Sequence, residues 1–245
     1  LDLPLHSLLA HPTVAELASF IDQQLEHPNE NVTAIPQREH TSEAAPLSFA
    51  QERLWFAQQL DKQNRAYHLT KTLKLQGTLD VPSLQQALSA LVARHESLRT
   101  RFIPDAEGMP TQVIASSCDV ALPLVDLTNE LSLEASDIAR TNGEATGSST
   151  ALKSEQALQK ELAKTTEPFN LATDLMLRAK LFRLQPDAHV LHITIHHIAA
   201  DGWPMRRFTH ELSALYQAGS TGLPSPLSTL PIQYADFAHW QRQWL

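Results

Sequence analysis

Apolar and polar residues alternate along this chain with two different periods. From Val190 to Ile195 the chain reads as an apolar β-strand that ends on His196 and His197. Side chains alternate faces along a strand, so Leu191, Ile193, Ile195 and His197 share one face and Val190, His192, Thr194 and His196 share the other. Only one histidine of the pair then faces a given cavity, and parity does not say which face looks at a substrate. The runs Leu175 to Leu184 and His189 to His197 predict a hairpin around Pro186 and Asp187. Ala66 to Gln76 alternates as a half-buried strand should, and Gln112 to Ile114 and Val120 to Val125 read as shorter strands.

The 3.6-residue period marks the helices. Thr13 to Glu16 is a capping-box pattern entered from Pro12, and Val14, Leu17, Ala18, Ile21 and Leu25 follow at helical spacing. Leu3, Leu5, Leu8 and Leu9 form a second small apolar set. Asp80 is placed to cap a helix with Pro82 in its first turn, and Leu84, Leu88, Leu91 and Val92 make the buried stripe. Gln51 to Leu60, Ala151 to Lys164 and Met205 to Gln217 also read as helices. Pro28 to Pro46 is polar and without apolar period, which predicts a linker, and Thr141 to Thr150, rich in Gly, Ser and Thr, predicts a surface loop. Strands and helices in this order predict an α/β sandwich.

Composition narrows the function classes. The 245 residues suffice for one to two domains with a sizeable core. A net charge of −8 argues against a nucleic-acid or anionic-membrane surface. No apolar run reaches the roughly 18 residues that would span a membrane. No signal peptide is visible at Leu1, and because that start is not Met the chain is expected to be cut from something longer. One cysteine, Cys118, allows no internal disulfide and suits a reducing cytosol; it reads as an ordinary buried thiol.

The chemistry concentrates at His196-His197 and the residues through Gly202. An imidazole at a strand end is able to touch a nucleophile's proton. Asp201, four positions on, is placed to fix the loop, and Gly202 lets a substrate backbone come close. The plain alternatives are a structural His-His pair and a simple turn glycine. A shared metal ion on His192 and His196 fails on geometry, since four strand residues span about 13 Å and metal–ligand bonds are about 2 Å.

His196-His197-x-x-x-Asp201-Gly202 resembles the HHxxxDG signature of condensation domains from nonribosomal peptide synthetases. Ser48 to Trp55 resembles the family's first core motif, SxAQxRLW; Arg94 to Phe102 resembles the second, RHExLRTxF; Tyr234 to Gln241 resembles the fourth, YxDFAxWQ. The motifs stand in the family's order across residues 46 to 245. The resemblance implies a chloramphenicol acetyltransferase-like α/β sandwich, two such lobes facing each other in a V. This chain is expected to hold the first lobe, residues 47 to 245, with the start of the crossover to the second. Leu3 to Ala18 resembles the C-terminal part of a peptidyl carrier domain, so residues 1 to 27 are expected to be that remnant and 28 to 46 the linker. The family's GGxS attachment serine is absent, and Ser7 and Ser19 stand in the wrong context to replace it.

The implied reaction joins two carrier-bound thioesters, the downstream aminoacyl amine attacking the upstream peptidyl carbonyl. His197 is expected to act on that amine, either as general base or by positioning it. His196 is expected to be structural. Asp201 is expected to support the loop through an arginine, with an arginine of the second lobe, Arg99 or Arg101 as candidates. Gly202 is expected where the acceptor approaches. Arg94, His95, Glu96 and Arg99 are expected to stabilise the fold near the site, Ser48, Gln51, Arg53 and Trp55 to pack and anchor the lobe, and Tyr234, Phe237 and Trp240 to anchor the crossover. Pro204 departs from the family's frequent Ser and suits a first helical turn. The implied partners are upstream and downstream peptidyl carrier domains bearing phosphopantetheine, and the adenylation domain of the same synthetase; no metal, nucleic acid or membrane is implied, and the location is cytoplasmic. Heterocyclisation relatives replace the histidines with aspartates. Epimerisation relatives usually lack the glycine and the RHExLRTxF form, so Gly202 and Arg94 to Phe102 favour condensation. A free-standing acyl-CoA acyltransferase, against which residues 1 to 27 argue, and a non-enzymatic carrier-docking fragment are the remaining alternatives. The lobe alone is expected to be inactive.

Overall fold

The computed structural model describes residues 7, 10–26, 34–38, 44–116, 119–128, 147–165, 167–200 and 205–244. The expectations for Cys118, Asp201, Gly202, Pro204 and residues 141–146 lie outside the described residues. The chain divides into two units, Leu1–Pro36 and Gln37–Leu245.

The first unit contains helix α1, Val14–Glu26. The backbone N–H of Glu16 donates to Thr13 Oγ1 at 3.3 Å and the N–H of Thr13 donates to Glu16 Oε2 at 3.1 Å, the reciprocal pair that the sequence pattern predicts. His11 stacks on Phe20 with ring centroids 4.6 Å apart.

The second unit runs β1 (Ala45–Pro46), α2 (Phe49–Leu60), β2 (His68–Gln76), α3 (Val81–Arg94), a 3₁₀ turn (Glu96–Arg99), β3 (Thr100–Pro104), β4 (Pro110–Ile114), β5 (Leu124–Asp126), α4 (Gly147–Ala163), β6 (Leu177–Gln185), β7 (Ala188–His196), a second 3₁₀ turn (His197–Ala199), α5 (Met205–Thr221) and α6 (Tyr234–Trp244). A four-stranded sheet has the order β2-β7-β6-β5, and a three-stranded antiparallel sheet has the order β1-β4-β3. Strand β7 is antiparallel to both β2 and β6, while β5 joins β6 in parallel. The alternation along β7 sorts its residues as parity requires. Leu191, Ile193 and Ile195 pack with Leu84, Leu88 and Leu91 of α3 and Phe208 and Leu212 of α5. Val190 packs the other way, with Phe182, Leu127 and Leu158 of α4. Asp80 caps α3 through Ser83, and the predicted stripe is buried.

Three expectations are corrected. The strand expected over Val120 to Val125 shrinks to Leu124–Asp126; Pro123 has no N–H to give a ladder, and Val120 and Leu122 are buried without one. Gly147 to Thr150, expected in a loop, form the first turn of α4, where Ser and Thr are tolerated far better than in a helix interior. The polar stretch expected as linker through Pro46 joins the fold sooner. Ala45 and Pro46 pair with Gln112 and Thr111, and the side chain of Arg38 is buried. Periodicity cannot see a two-residue strand or a single docked side chain.

Arg38 is the centre of a buried ionic cluster. Its Nε lies 2.8 Å from Asp236 Oδ1 and its Nη2 2.5 Å from Glu96 Oε2, with the Arg38 side chain 7% and the Asp236 side chain 3% exposed. Arg99 adds a second cation 3.6 Å from Glu96. Buried charges are tolerated when each has its partner, and removing one partner leaves the other uncompensated. Arg38→Met is therefore expected to lower unfolding free energy by about 3–5 kcal/mol, read from the denaturant midpoint at constant m-value. An unchanged midpoint would contradict a closed buried pair.

Candidate active site

The two histidines sit where β7 ends, and the backbone clamps both. His196 N–H donates to Met176 O at 3.0 Å and His197 N–H donates to Tyr67 O at 2.8 Å, so the starts of β6 and β2 grip the pair from either side. The side chains then part company. His196 is fully buried, and its Nδ1 accepts the N–H of Ile198 at 3.1 Å, closing the turn His197–Ala199. That bond fixes the neutral tautomer with the proton on Nε2. Burial first, then the neighbouring His68 and His197, pushes the His196 pKa down to about 4. The Nε2 of His196 is buried without a hydrogen-bond partner among the described residues. Phe169, His68 and Tyr67 have centroids 5.7, 6.1 and 6.4 Å from that of His196.

His197 is half-buried, and its Nδ1 is buried without a hydrogen-bond partner among the described residues. Strict alternation expected His197 to continue the strand. Instead the ladder stops at His196 and His197 opens a 3₁₀ turn, because Ile198 N–H turns back to the imidazole. The two histidines differ in burial, with the turn rather than the pleat as the cause.

Distant motifs hold this turn. Gln51 Nε2 reaches Ile198 O at 3.5 Å and Gln112 Oε1 at 3.1 Å. Gln51 also closes the capping box with Ser48 that starts α2, and Ser48 Oγ lies 3.0 Å from the Tyr234 hydroxyl. Gln112 Nε2 donates to Pro46 O at 2.7 Å, tying in β1. Arg94 Nε and His95 Nε2 lie 3.3 and 2.6 Å from Glu211 Oε2, and Arg207 approaches its other oxygen at 3.4 Å, which binds the second motif to α5. Burial raises the Glu211 pKa, but the His95 hydrogen bond with the charges of Arg94 and Arg207 outweighs it, and the carboxyl stays ionised. Burial lowers the pKa of His95 despite Glu211. Arg99 donates to Ala115 O, and Leu98 O accepts the N–H of Met176 at 2.9 Å, whose own carbonyl takes His196 N–H.

Not every expected residue reaches the turn. Arg53 is exposed on α2, and the anchoring expected of it falls to Arg242, which donates to Leu47 O at 2.8 Å, pairs with Glu52 and lies 4.2 Å from the Phe49 centroid. Trp240 stacks on Trp244 at 5.4 Å and lies tilted against Phe237 at 6.1 Å along α6. Among the described residues no group of three or more His, Cys, Asp or Glu is placed to hold a metal ion, and no helix is long and apolar enough to cross a membrane.

The model of the condensation domain family matches residues 41–245. The chain belongs to the condensation domain family. Its mixed sheets and helices form one lobe of the chloramphenicol acetyltransferase-like fold of these domains. It is similar to a linear gramicidin synthase protein of Brevibacillus parabrevis, 43% identical over 202 residues that cover 82% of this chain and 2% of that protein. It is also similar to malpibaldin synthetase of Mortierella alpina, 39% identical over 245 residues, 99% of this chain and 4% of that protein. Among solved structures, the X-domain in the complex of the X-domain and OxyB from teicoplanin biosynthesis is similar with a TM-score of 0.69 and 33% identity, covering 86% of this chain and 40% of that one. The chain thus spans a few per cent of these synthetases and under half of that solved domain.

In this condensation lobe the sequence reading missed Tyr67, His68, Phe169 and Met176 beside the histidines, Glu211 at Arg94 and His95, and Arg242 at Leu47 and Glu52. Each acts through register or a long-range pair, and only the acid–base pairing of Glu211 with Arg207 at helical spacing was there to be read.

The low His196 pKa makes stability pH-dependent. The unfolded imidazole, with an ordinary value near 6.5, binds a proton that the folded one refuses down to about 4. The stabilisation is present above pH 6.5 and is lost as pH falls from there to about 4, amounting to about 3 kcal/mol. His68, His95 and His192 shift in the same direction. The His196 share is therefore the difference between the wild type and His196→Asn, which keeps an acceptor and does not titrate. Denaturant unfolding between pH 4 and 7 is expected to show a shallower slope for the variant; equal slopes would contradict a buried neutral His196.

Proposed function

We propose that this lobe is part of a nonribosomal peptide synthetase condensation domain that forms a peptide bond, with His197 as the reacting imidazole. The observation that supports this best is the division of labour within the pair. The Nδ1 of His196 is committed to Ile198 N–H and its ring is fully buried, whereas His197 is part-exposed and held by its backbone at a fixed place. The substrates are thioesters on the phosphopantetheine arms of two carrier domains. The acceptor amine attacks the donor carbonyl, a C–N bond forms, the C–S bond breaks, and the thiol leaves on the donor arm. An α-amine has a pKa of roughly 8, so about a tenth of it is neutral at pH 7. His197 orients that amine, stabilises the zwitterionic tetrahedral intermediate, takes the surplus proton from nitrogen and returns it to the departing sulfur. Asp201 supports the loop and Gly202 leaves room for the acceptor. The adenylation domain of the synthetase supplies the activated amino acids, and the setting is the cytoplasm, in keeping with a single cysteine in 245 residues.

Residues 1 to 27 we read as the end of the upstream carrier domain. Ser7 is buried and Ser19, though exposed, lies on α1, so neither resembles a serine on an attachment loop. The remaining lobe completes the site, since the solved relative is more than twice as long as the stretch matched here.

A second reading is favoured by the X-domain likeness. That domain is found in a complex with OxyB, and a lobe of this kind serves equally as a docking surface for a partner protein. The two readings part on one experiment. In the synthetase containing this chain, His197→Ala is expected to reduce dipeptidyl-carrier formation by about 10²-fold or more while loading of both carriers stays intact, with products followed by mass spectrometry. His196→Ala is expected to lower stability with a smaller loss of rate. Full turnover in His197→Ala would overturn the enzymatic reading and leave docking. The 245-residue chain by itself, supplied with both loaded carriers, is expected to give no dipeptide, because nothing holds donor and acceptor together over His197.

A further inference from the structure

We propose that Tyr67 and His68, at the entry to β2, are positioning residues for His197; the inference rests on His197 being the reacting group. Tyr67 acts through its backbone. Its carbonyl accepts the N–H of His197 at 2.8 Å, the bond that fixes where the reactive residue leaves the sheet. His68 acts through its ring. In the β2–β7 ladder His68 is the register partner of His196, so the two side chains emerge side by side on one face. The His68 ring stands edge-on to His196 with centroids 6.1 Å apart, and edge-on to Phe169 at 5.1 Å; Phe169 in turn stands edge-on to His196 at 5.7 Å. The three rings form a closed triangle in which His68 and Phe169 flank the His196 imidazole. The Arg178 guanidinium lies 4.1 Å from the Phe169 ring centroid and is itself fixed at 2.7 Å from Asp174 Oδ2.

The triangle works only while uncharged. His68 Nε2 and His196 Nε2 are both buried without a hydrogen-bond partner among the described residues. Burial, then Arg178 and Arg65, lowers the His68 pKa, in the same direction as that of His196. A proton on His196 would take the lone pair that Ile198 N–H uses. The route of the effect is therefore short and physical: the His68 ring confines His196, His196 caps Ile198, and the capped turn sets the His197 side chain, whose backbone Tyr67 already holds. A misplacement of about 1 Å at a reacting group is enough to cost roughly 10²-fold in rate.

The test uses the whole synthetase and two substitutions. His68→Ala removes the ring, and His68→Phe keeps its shape without its nitrogens. With both carriers fully loaded, His68→Ala is expected to slow single-turnover dipeptide formation by roughly 10- to 100-fold, while the extent of loading is unchanged. Deuterium uptake in the peptide spanning Ile195 to Ala200 is expected to rise, with the peptide of α3 unchanged. His68→Phe is expected to restore both the rate and the protection to within a few-fold of the wild type, which a general loss of stability would not explain. Unchanged uptake in His68→Ala, or a Phe variant as slow as the Ala variant, would overturn the proposal. Raised uptake rescued by Phe, with turnover unaffected throughout, would instead overturn the role assigned to His197 while the bracing stands.

Discussion

One hydrogen bond organises this lobe's chemistry, the N–H of Ile198 given to Nδ1 of His196 in a fully buried position. It stops the β7 ladder, closes the 3₁₀ turn, selects the tautomer of His196 and removes that imidazole from acid–base work near neutral pH. An unpaired N–H in this core would cost about 1–3 kcal/mol, so the bond is kept, and keeping it obliges His196 to stay neutral. His197 is left as the part-exposed member of the pair. The difference in burial and hydrogen bonding between these adjacent identical side chains thus follows from one donor needing one acceptor.

The rest of the lobe is arranged to keep that turn in place. Met176 and Tyr67 take the two backbone N–H groups, and Gln51 reaches the carbonyl of Ile198. Behind them the polar residues of the core are paired across long sequence distances: Arg38 with Glu96 and Asp236, Arg94 and His95 with Glu211, Ser48 with Tyr234. These pairs join segments that the apolar core alone would leave free to slide, since dispersion and burial are non-directional and hydrogen bonds are not. The contact from Leu98 O to Met176 N–H, one step from His196, carries this order from the second motif to the site.

Where local chemistry decides, the sequence was readable. Asp80 and Pro82 announced the start of α3, Leu84 to Val92 announced its buried face, and the period-2 run into His196 announced a buried strand. The histidine pair stood out for the same reason, being polar at the end of an apolar run. What stayed hidden depends on pairing at a distance. Arg38 looks like any cation in a polar stretch until Asp236 is brought beside it. His68 looks like a strand residue until the register sets it opposite His196. The end of β7 was misplaced by one residue because alternation describes a strand but not what stops it, and here a side-chain acceptor stops it. Arg53 was read as an anchor from its motif, yet it faces outward and Arg242, with no motif position of its own, makes the contacts.

The most direct test of this account is the protonation state and tautomer of the His196 ring, read by long-range proton–nitrogen correlation spectra of protein labelled with ¹⁵N at histidine and assigned with His196→Asn. The account expects a neutral ring with its proton on Nε2 throughout the neutral range and a titration near pH 4. A proton on Nδ1, or a titration near the ordinary value of about 6.5, would mean that Ile198 N–H is not bound to His196 and would contradict the structural origin proposed for the reactivity of His197.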